Sequence, residues 1–146
     1  MKSTVKEILE EKGGTVWTIN SEETVYEALV KMSKKDIGAL IVMENGKLTG
    51  VFSERDYARK VVLYGKTSKE SLVGELMTRE VTVIHLDTSI EECMALMTQK
   101  RIRHLPVMDG NKFIGIISIG DVVSRIISDQ ELTIKNLEDY IYGKSF

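Results

Sequence analysis

The chain carries the same unit twice. Sliding the 146-residue sequence against itself by 65 positions lays residues 16–57 on residues 81–122 without a gap, and 13 of those 42 pairs are identical. Unrelated chains of average composition would share roughly two or three. The identical pairs include Glu27 and Glu92, Met32 and Met97, Leu40 and Leu105, Val42 and Val107, Gly50 and Gly115, Ser53 and Ser118, Asp56 and Asp121. An upstream likeness, Val5-Lys6-Glu7-Ile8-Leu9 to Val73-Gly74-Glu75-Leu76-Met77, takes the repeat back further. A repeat of this kind means that one supersecondary unit must bury its apolar face against a second.

Each copy has the same order of elements. A short extended piece (residues 16–19; 81–84) leads to Thr24-Val25-Tyr26-Glu27 or Ser89-Ile90-Glu91-Glu92, where hydroxyl and carboxylate can cap a helix start reciprocally. Apolar residues then recur at helical spacing: Val25, Ala28, Leu29 and Met32; Ile90, Cys93, Met94 and Met97. Short apolar runs at 39–43 and 105–108 read as buried strands. Glu44-Asn45-Gly46-Lys47 and Asp109-Gly110-Asn111-Lys112 read as hairpin turns. A second strand (48–52; 113–117) and a second helix opening at Ser53 or Ser118 complete the unit. The order is β-α-β-β-α, in an α/β (α+β) chain. Residues 132–141, with Leu137, Tyr140 and Ile141 on one face, predict a final helix. The repeat divides the chain into 1–70, a first copy with an N-terminal helix, 71–128, a second copy, and 129–146, a C-terminal helix and tail.

Composition narrows the function. Twenty Lys and Arg stand against 22 Asp and Glu, which offers no cationic excess for a nucleic acid or an anionic membrane. The single cysteine, Cys93, allows no intrachain disulfide and reads as a small buried hydrophobe. No apolar run approaches the ~18 residues of a membrane span, and residues 1–12 lack the apolar stretch of a signal peptide. A cytoplasmic protein is expected. Catalysis has little to work with. Two histidines and one cysteine fall on unrelated elements, Gly13-Gly14 alone is a turn, and the acidic pairs Glu22-Glu23 and Glu91-Glu92 sit at helix starts, where the dipole accounts for them.

Gly50-Val51-Phe52-Ser53-Glu54-Arg55-Asp56, Gly115-Ile116-Ile117-Ser118-Ile119-Gly120-Asp121 and the segment Ile102-Arg103-His104-Leu105-Pro106-Val107 resemble a tandem pair of CBS domains, a Bateman module, over residues 5–127. The resemblance implies two repeats packed about a pseudo-twofold axis, flanked by N- and C-terminal helices, and a regulatory binding module with no catalytic cofactor. It implies clefts for an adenosyl ligand (AMP most of all, with NAD, ADP, ATP or S-adenosylmethionine as alternatives), assembly as a homodimer, and output to an effector protein. A small nucleotide-acting enzyme and a nucleic-acid-binding module are the rival readings.

The chemistry of the signature agrees. An aspartate can accept both vicinal hydroxyls of a ribose, helix-start amides and the serine suit a phosphate, and the glycine lets backbone approach a ligand. The same Ser-x-x-Asp spacing is also a capping box. In the resemblance each cleft draws on both repeats. One combines Ser53, Arg55, Asp56 and Arg59 with Thr82, Ile102, Arg103 and His104. The other combines Ser118 and Asp121 with Val16, Trp17, Ile37, Gly38 and Ala39, where the Trp17 indole reads either as a stacking surface for a base or as a half-buried structural residue. The first gathers cations and the second gathers none from these positions, so the phosphate is expected at Asp56 and a weaker or less charged ligand at Asp121.

Overall fold

The computed structural model describes residues 3–13 and 16–142. Gly14 of the Gly13-Gly14 turn and the end of the expected tail, 143–146, lie outside the described residues.

The chain divides into two compact units. One comprises residues 16–83 with 111–113. The other comprises 3–13, 84–110 and 114–142.

In the first, β1 (Thr18–Asn20) runs parallel to β2 (Ala39–Glu44), which pairs antiparallel with β3 (Lys47–Ser53). The β2–β3 turn places Asn45 and Gly46 at φ of 51° and 77°, the double positive φ that a tight primed turn requires. Helix α2 (Val25–Lys35) is capped by Thr24, whose hydroxyl accepts the Glu27 amide at 3.1 Å. This is the hydroxyl half of the expected box. Ser53 opens a single α turn, α3 (Glu54–Asp56), which passes directly into a π-helical segment, Tyr57–Val62. A short helix, α4 (Val73–Leu76), closes the unit.

The second copy repeats this plan with β4 (Ile84–His85), α5 (Ile90–Lys100), β5 (His104–Asp109) and β6 (Lys112–Ser118) in the order β4-β5-β6. Its last helix, α6 (Ile119–Ile141), is one unbroken α-helix of 23 residues. The expected separate C-terminal helix is therefore the continuation of the helix that Ser118 opens. No glycine or proline interrupts residues 121–141, so nothing stops it.

The cores follow the repeat closely. Ile19, Val25, Ala28, Met32, Leu40, Val42 and Phe52 are buried in one; Ile84, Ile90, Cys93, Met97, Leu105, Val107 and Ile117, each 65 positions on, are buried in the other. Cys93 is fully buried, and burial, with the Glu92 charge, raises its thiol to about 11, which makes it inert packing. The flanking helices cut across the sequence repeat. Val73, Leu76 and Met77 complete the core of the first copy. Val5 and Ile8 of α1 (Val5–Lys12) complete the core of the second, not of the copy that follows them. Backbone bonds from Val5 to the Thr88 carbonyl and from Lys6 to the Leu86 carbonyl, each 3.0 Å, hold α1 there. Arg125 of α6 adds ion pairs to Glu7 at 2.7 Å and Glu11 at 3.0 Å.

Candidate functional site

Both Ser-x-x-Asp signatures sit where a strand ends and a helix starts. Ser53 and Ser118 are extended (φ −119° and −97°), so each leaves its strand and points its hydroxyl back at the first turn. Asp56 N–H donates to Ser53 Oγ at 3.2 Å, and Asp56 Oδ2 accepts the Ser53 amide at 2.9 Å. Asp121 N–H donates to Ser118 Oγ at 3.2 Å, and Asp121 Oδ2 accepts the Ser118 amide at 2.8 Å. Both are complete capping boxes.

The two carboxylates differ in what else they hold. Asp56 is only 8% exposed. Its Oδ2 also accepts from Ser53 Oγ at 3.1 Å, while Oδ1 accepts from Thr78 Oγ1 at 2.9 Å and lies 3.1 Å from Lys60 Nζ. Thr78 is brought there by a two-way backbone bridge to Val51. Both oxygens of Asp56 are thus engaged within the protein. Asp121 is more open. Oδ2 takes Lys12 Nζ at 2.8 Å in addition to the Ser118 amide, and no bond to Oδ1 is made among the described residues. Lys12 is anchored a second time by the Ile116 carbonyl at 2.9 Å. Burial pushes the Asp121 carboxyl upward, but the Lys12 bond, the Ser118 amide and the Lys12 charge outweigh it and hold the group below the usual range.

The segments ahead of the hairpins lie beside the signatures of their own copies. Glu54 N–H donates to the Gly38 carbonyl at 3.0 Å, and Ile119 N–H donates to the Arg103 carbonyl at 2.9 Å. Ser53, Arg55, Asp56, Arg59 and Thr82 fall in one unit with Val16, Trp17, Ile37, Gly38 and Ala39. Ile102, Arg103, His104, Ser118 and Asp121 fall in the other. His104 is half-buried near Lys12, Asp121 and Arg103. Burial and the Lys12 and Arg103 charges together lower its pKa against the opposing Asp121. Arg55 and Arg59 are exposed, Arg55 on α3 and Arg59 on the π-helical segment. The Trp17 ring is covered on one face by Lys35 Nζ, 4.1 Å from its centroid, and packs against the core. His85 is exposed and bonds the Met108 carbonyl through Nδ1 at 3.2 Å.

Two features escaped the sequence reading. Lys12 and Lys60 are the cations that pair with the signature aspartates among the described residues, and Lys12 supplies the Asp121 signature with a charge that Ile37, Gly38 and Ala39 lack. The signature glycines also have a packing reason. A Cβ at Gly50 would meet Met77 Sδ at 2.7 Å and the Thr78 carbonyl at 2.8 Å, and one at Gly115 would meet Leu9 Cδ2 at 2.8 Å. The upstream likeness of residues 5–9 to 73–77 already paired Leu9 with Met77, and that pairing is the signal that could have shown it.

Duplicated mixed sheets, each ending on a serine-capped aspartate at the head of a helix, define a tandem-repeat module that presents two carboxylates at helix starts. The chain belongs to the CBS domain family, which it matches over residues 5–63 and 73–128. CBS domain-containing protein CBSX3, mitochondrial, of Arabidopsis thaliana is 36% identical over 150 residues, covering 97% of this chain and 73% of the plant protein. A candidate signal-transduction protein with CBS domains from Burkholderia ambifaria MC40-6 is 48% identical with a TM-score of 0.85, covering 88% of this chain and 96% of that one. The CBS domain structure of NE2398 is 47% identical with a TM-score of 0.83, covering 87% and 99%. The family is one of signal-transduction and regulatory proteins. Among the described residues no helix is long and apolar enough to cross a membrane, and no group of three or more His, Cys, Asp or Glu could hold a metal ion.

Proposed function

We propose that the chain is a non-catalytic regulatory module that binds an adenine nucleotide, AMP first among the candidates, at its Ser-x-x-Asp signatures. The observation that carries this reading is Asp121. Oδ2 is fixed by the Ser118 amide and Lys12 while Oδ1 takes no bond among the described residues, in a chain of the CBS domain family. Asp56 takes the same ligand only by giving up Thr78 and Lys60, and on that ground we rank Asp121 ahead of Asp56. Arg55, Arg59 and Lys60 are the cations that follow Ser53 and that a phosphate there would meet.

The output is a change of packing read by an effector protein, since a ligand can shift an equilibrium only by binding one arrangement better than another. A second copy is the partner we place on α6. Val123, Ile127, Gln130, Ile134, Leu137 and Ile141 alternate by four and three residues, the period of a coiled-coil seam, and every apolar member is exposed.

A thermal-shift panel of AMP, ADP, ATP, NAD, NADH and S-adenosylmethionine tests the ligand class. At a hundredfold excess over Kd, binding adds ~2.7 kcal/mol, which raises Tm by about 5–10 °C for a chain of this size. The response is expected to fall more in Asp121→Ala than in Asp56→Ala. Silence across the panel would refute the reading, and conversion of ATP or NAD on prolonged incubation would replace it with an enzyme.

A further inference from the structure

We propose that Lys12 is the phosphate-reading cation of the Asp121 signature, so that this site takes a nucleoside phosphate in preference to the uncharged nucleoside. The proposal rests on the reading that Asp121 holds the nucleoside hydroxyls.

Lys12 stands at the end of α1 and lines a groove of about 220 Å3 against α6, together with Asp121, Ser124 and Ser128. An ammonium has three donors. Ile116 O and Asp121 Oδ2 take two of them and aim the side chain, leaving the third for a ligand. The other cation lining the groove, Arg125, is already engaged by three carboxylates, Glu7, Glu11 and Asp129, of which Glu11 also lines the groove. Asp121 is Lys12's one ion-pair partner among the described residues, and it shares its Oδ2 with the Ser118 amide. A ligand whose hydroxyls bond Oδ1 leaves the Lys12 pair on Oδ2 in place, and the third ammonium donor is the one that meets a phosphate. Ser124 and Ser128, one helical turn apart on α6, add hydroxyl donors on the same wall. A neutral nucleoside gains the carboxylate but nothing from Lys12, whereas a phosphate gains a charge-assisted bond.

Calorimetric titration of the full chain with AMP and with adenosine tests this. The wild type is expected to bind AMP about tenfold more tightly than adenosine, ~1.4 kcal/mol. Lys12→Ala is expected to weaken AMP alone and bring the two within about twofold, while Lys12→Arg keeps the preference. If Lys12→Ala melts early, Lys12→Gln is read in its place. An unchanged ratio of the two affinities overturns the proposal. A parallel gain for both ligands overturns it equally, because Lys12 would then be only a plug. A preference for AMP that survives Asp121→Asn belongs to the other signature and also refutes it. A wild type silent to both ligands is a distinct result, since it removes the nucleotide reading itself before Lys12 is ever varied.

Discussion

His104 sits half-buried among Lys12, Asp121 and Arg103. Burial and the two cations keep its folded pKa below the unfolded value of ~6.5, so below that pH the unfolded state binds more protons and stability falls. Asp121 has the opposite charge type but the same sign of slope. Its depressed folded pKa contributes stability that is present above ~4 and lost as pH falls through the folded value. Of these two groups, His104 is the one whose slope falls just below pH 6.5. Thermal melts just below that pH are expected to drop with pH in the wild type and to flatten in His104→Gln, and an equally steep slope in the variant would show that another group is responsible. Glycine makes a second residue-scale test. Gly50→Ala drives a Cβ into the Thr78 backbone carbonyl, which cannot rotate away, while Gly115→Ala meets only the end of the Leu9 side chain. Gly50→Ala is therefore expected to cost about 1–3 kcal/mol and Gly115→Ala less, measured by denaturant unfolding. The serine, the aspartate and the glycine were all legible from their doubled spacing. Lys12 was not, because its partner lies 109 positions away and no local pattern encodes that meeting.

At the scale of elements, the repeat foretold two helices and three strands in each copy; the strand ends moved by a few residues at most, while the second helix of the second copy runs on to Ile141. What it did not foretell is how differently the two signature helices continue. After Asp56 the backbone runs into the π-helical segment Tyr57–Val62, with Leu63 N–H donating five residues back to Ala58, whereas after Asp121 it stays α-helical to Ile141. Residues 57–62 contain no proline or glycine that would mark the change, so the cause is tertiary. From Gln130 onward almost every described residue of α6 is exposed. An isolated stretch of about 12 residues is marginal as a helix in water, so this end needs a covering surface. If that surface is a second copy, Ile134→Asp together with Leu137→Asp is expected to halve the mass measured by light scattering and leave Asp121 unaffected. A wild type already monomeric at micromolar concentration would rule the pairing out.

For the whole molecule, the sequence repeat and the packing units are different divisions of one chain. Seven core positions recur at the repeat distance, so the two cores could be read before any coordinate was known. Which core α1 joins could not, because residues 5–9 resemble 73–77 equally well in either place. The structure puts Val5 and Ile8 with Val107, Ile117 and Val122. Ile8→Ala is expected to cost about 2–5 kcal/mol. Hydrogen exchange should then rise in residues 84–122 and stay near wild type in 18–53, where local opening reports the weakened core. Faster exchange confined to 18–53 would contradict the placement of α1.

The position of α1 also sets a timetable for synthesis. Translation proceeds at about 5–20 residues per second, and the strands and helix that cover Val5 and Ile8 are not complete until Val122 has been added. The first copy, with α4 arriving at residues 73–76, can close while the ribosome is still working. The opening helix must wait for several seconds beyond that, its apolar face bare, and the Ser3 to Asp129 bond across 126 positions is among the last to form.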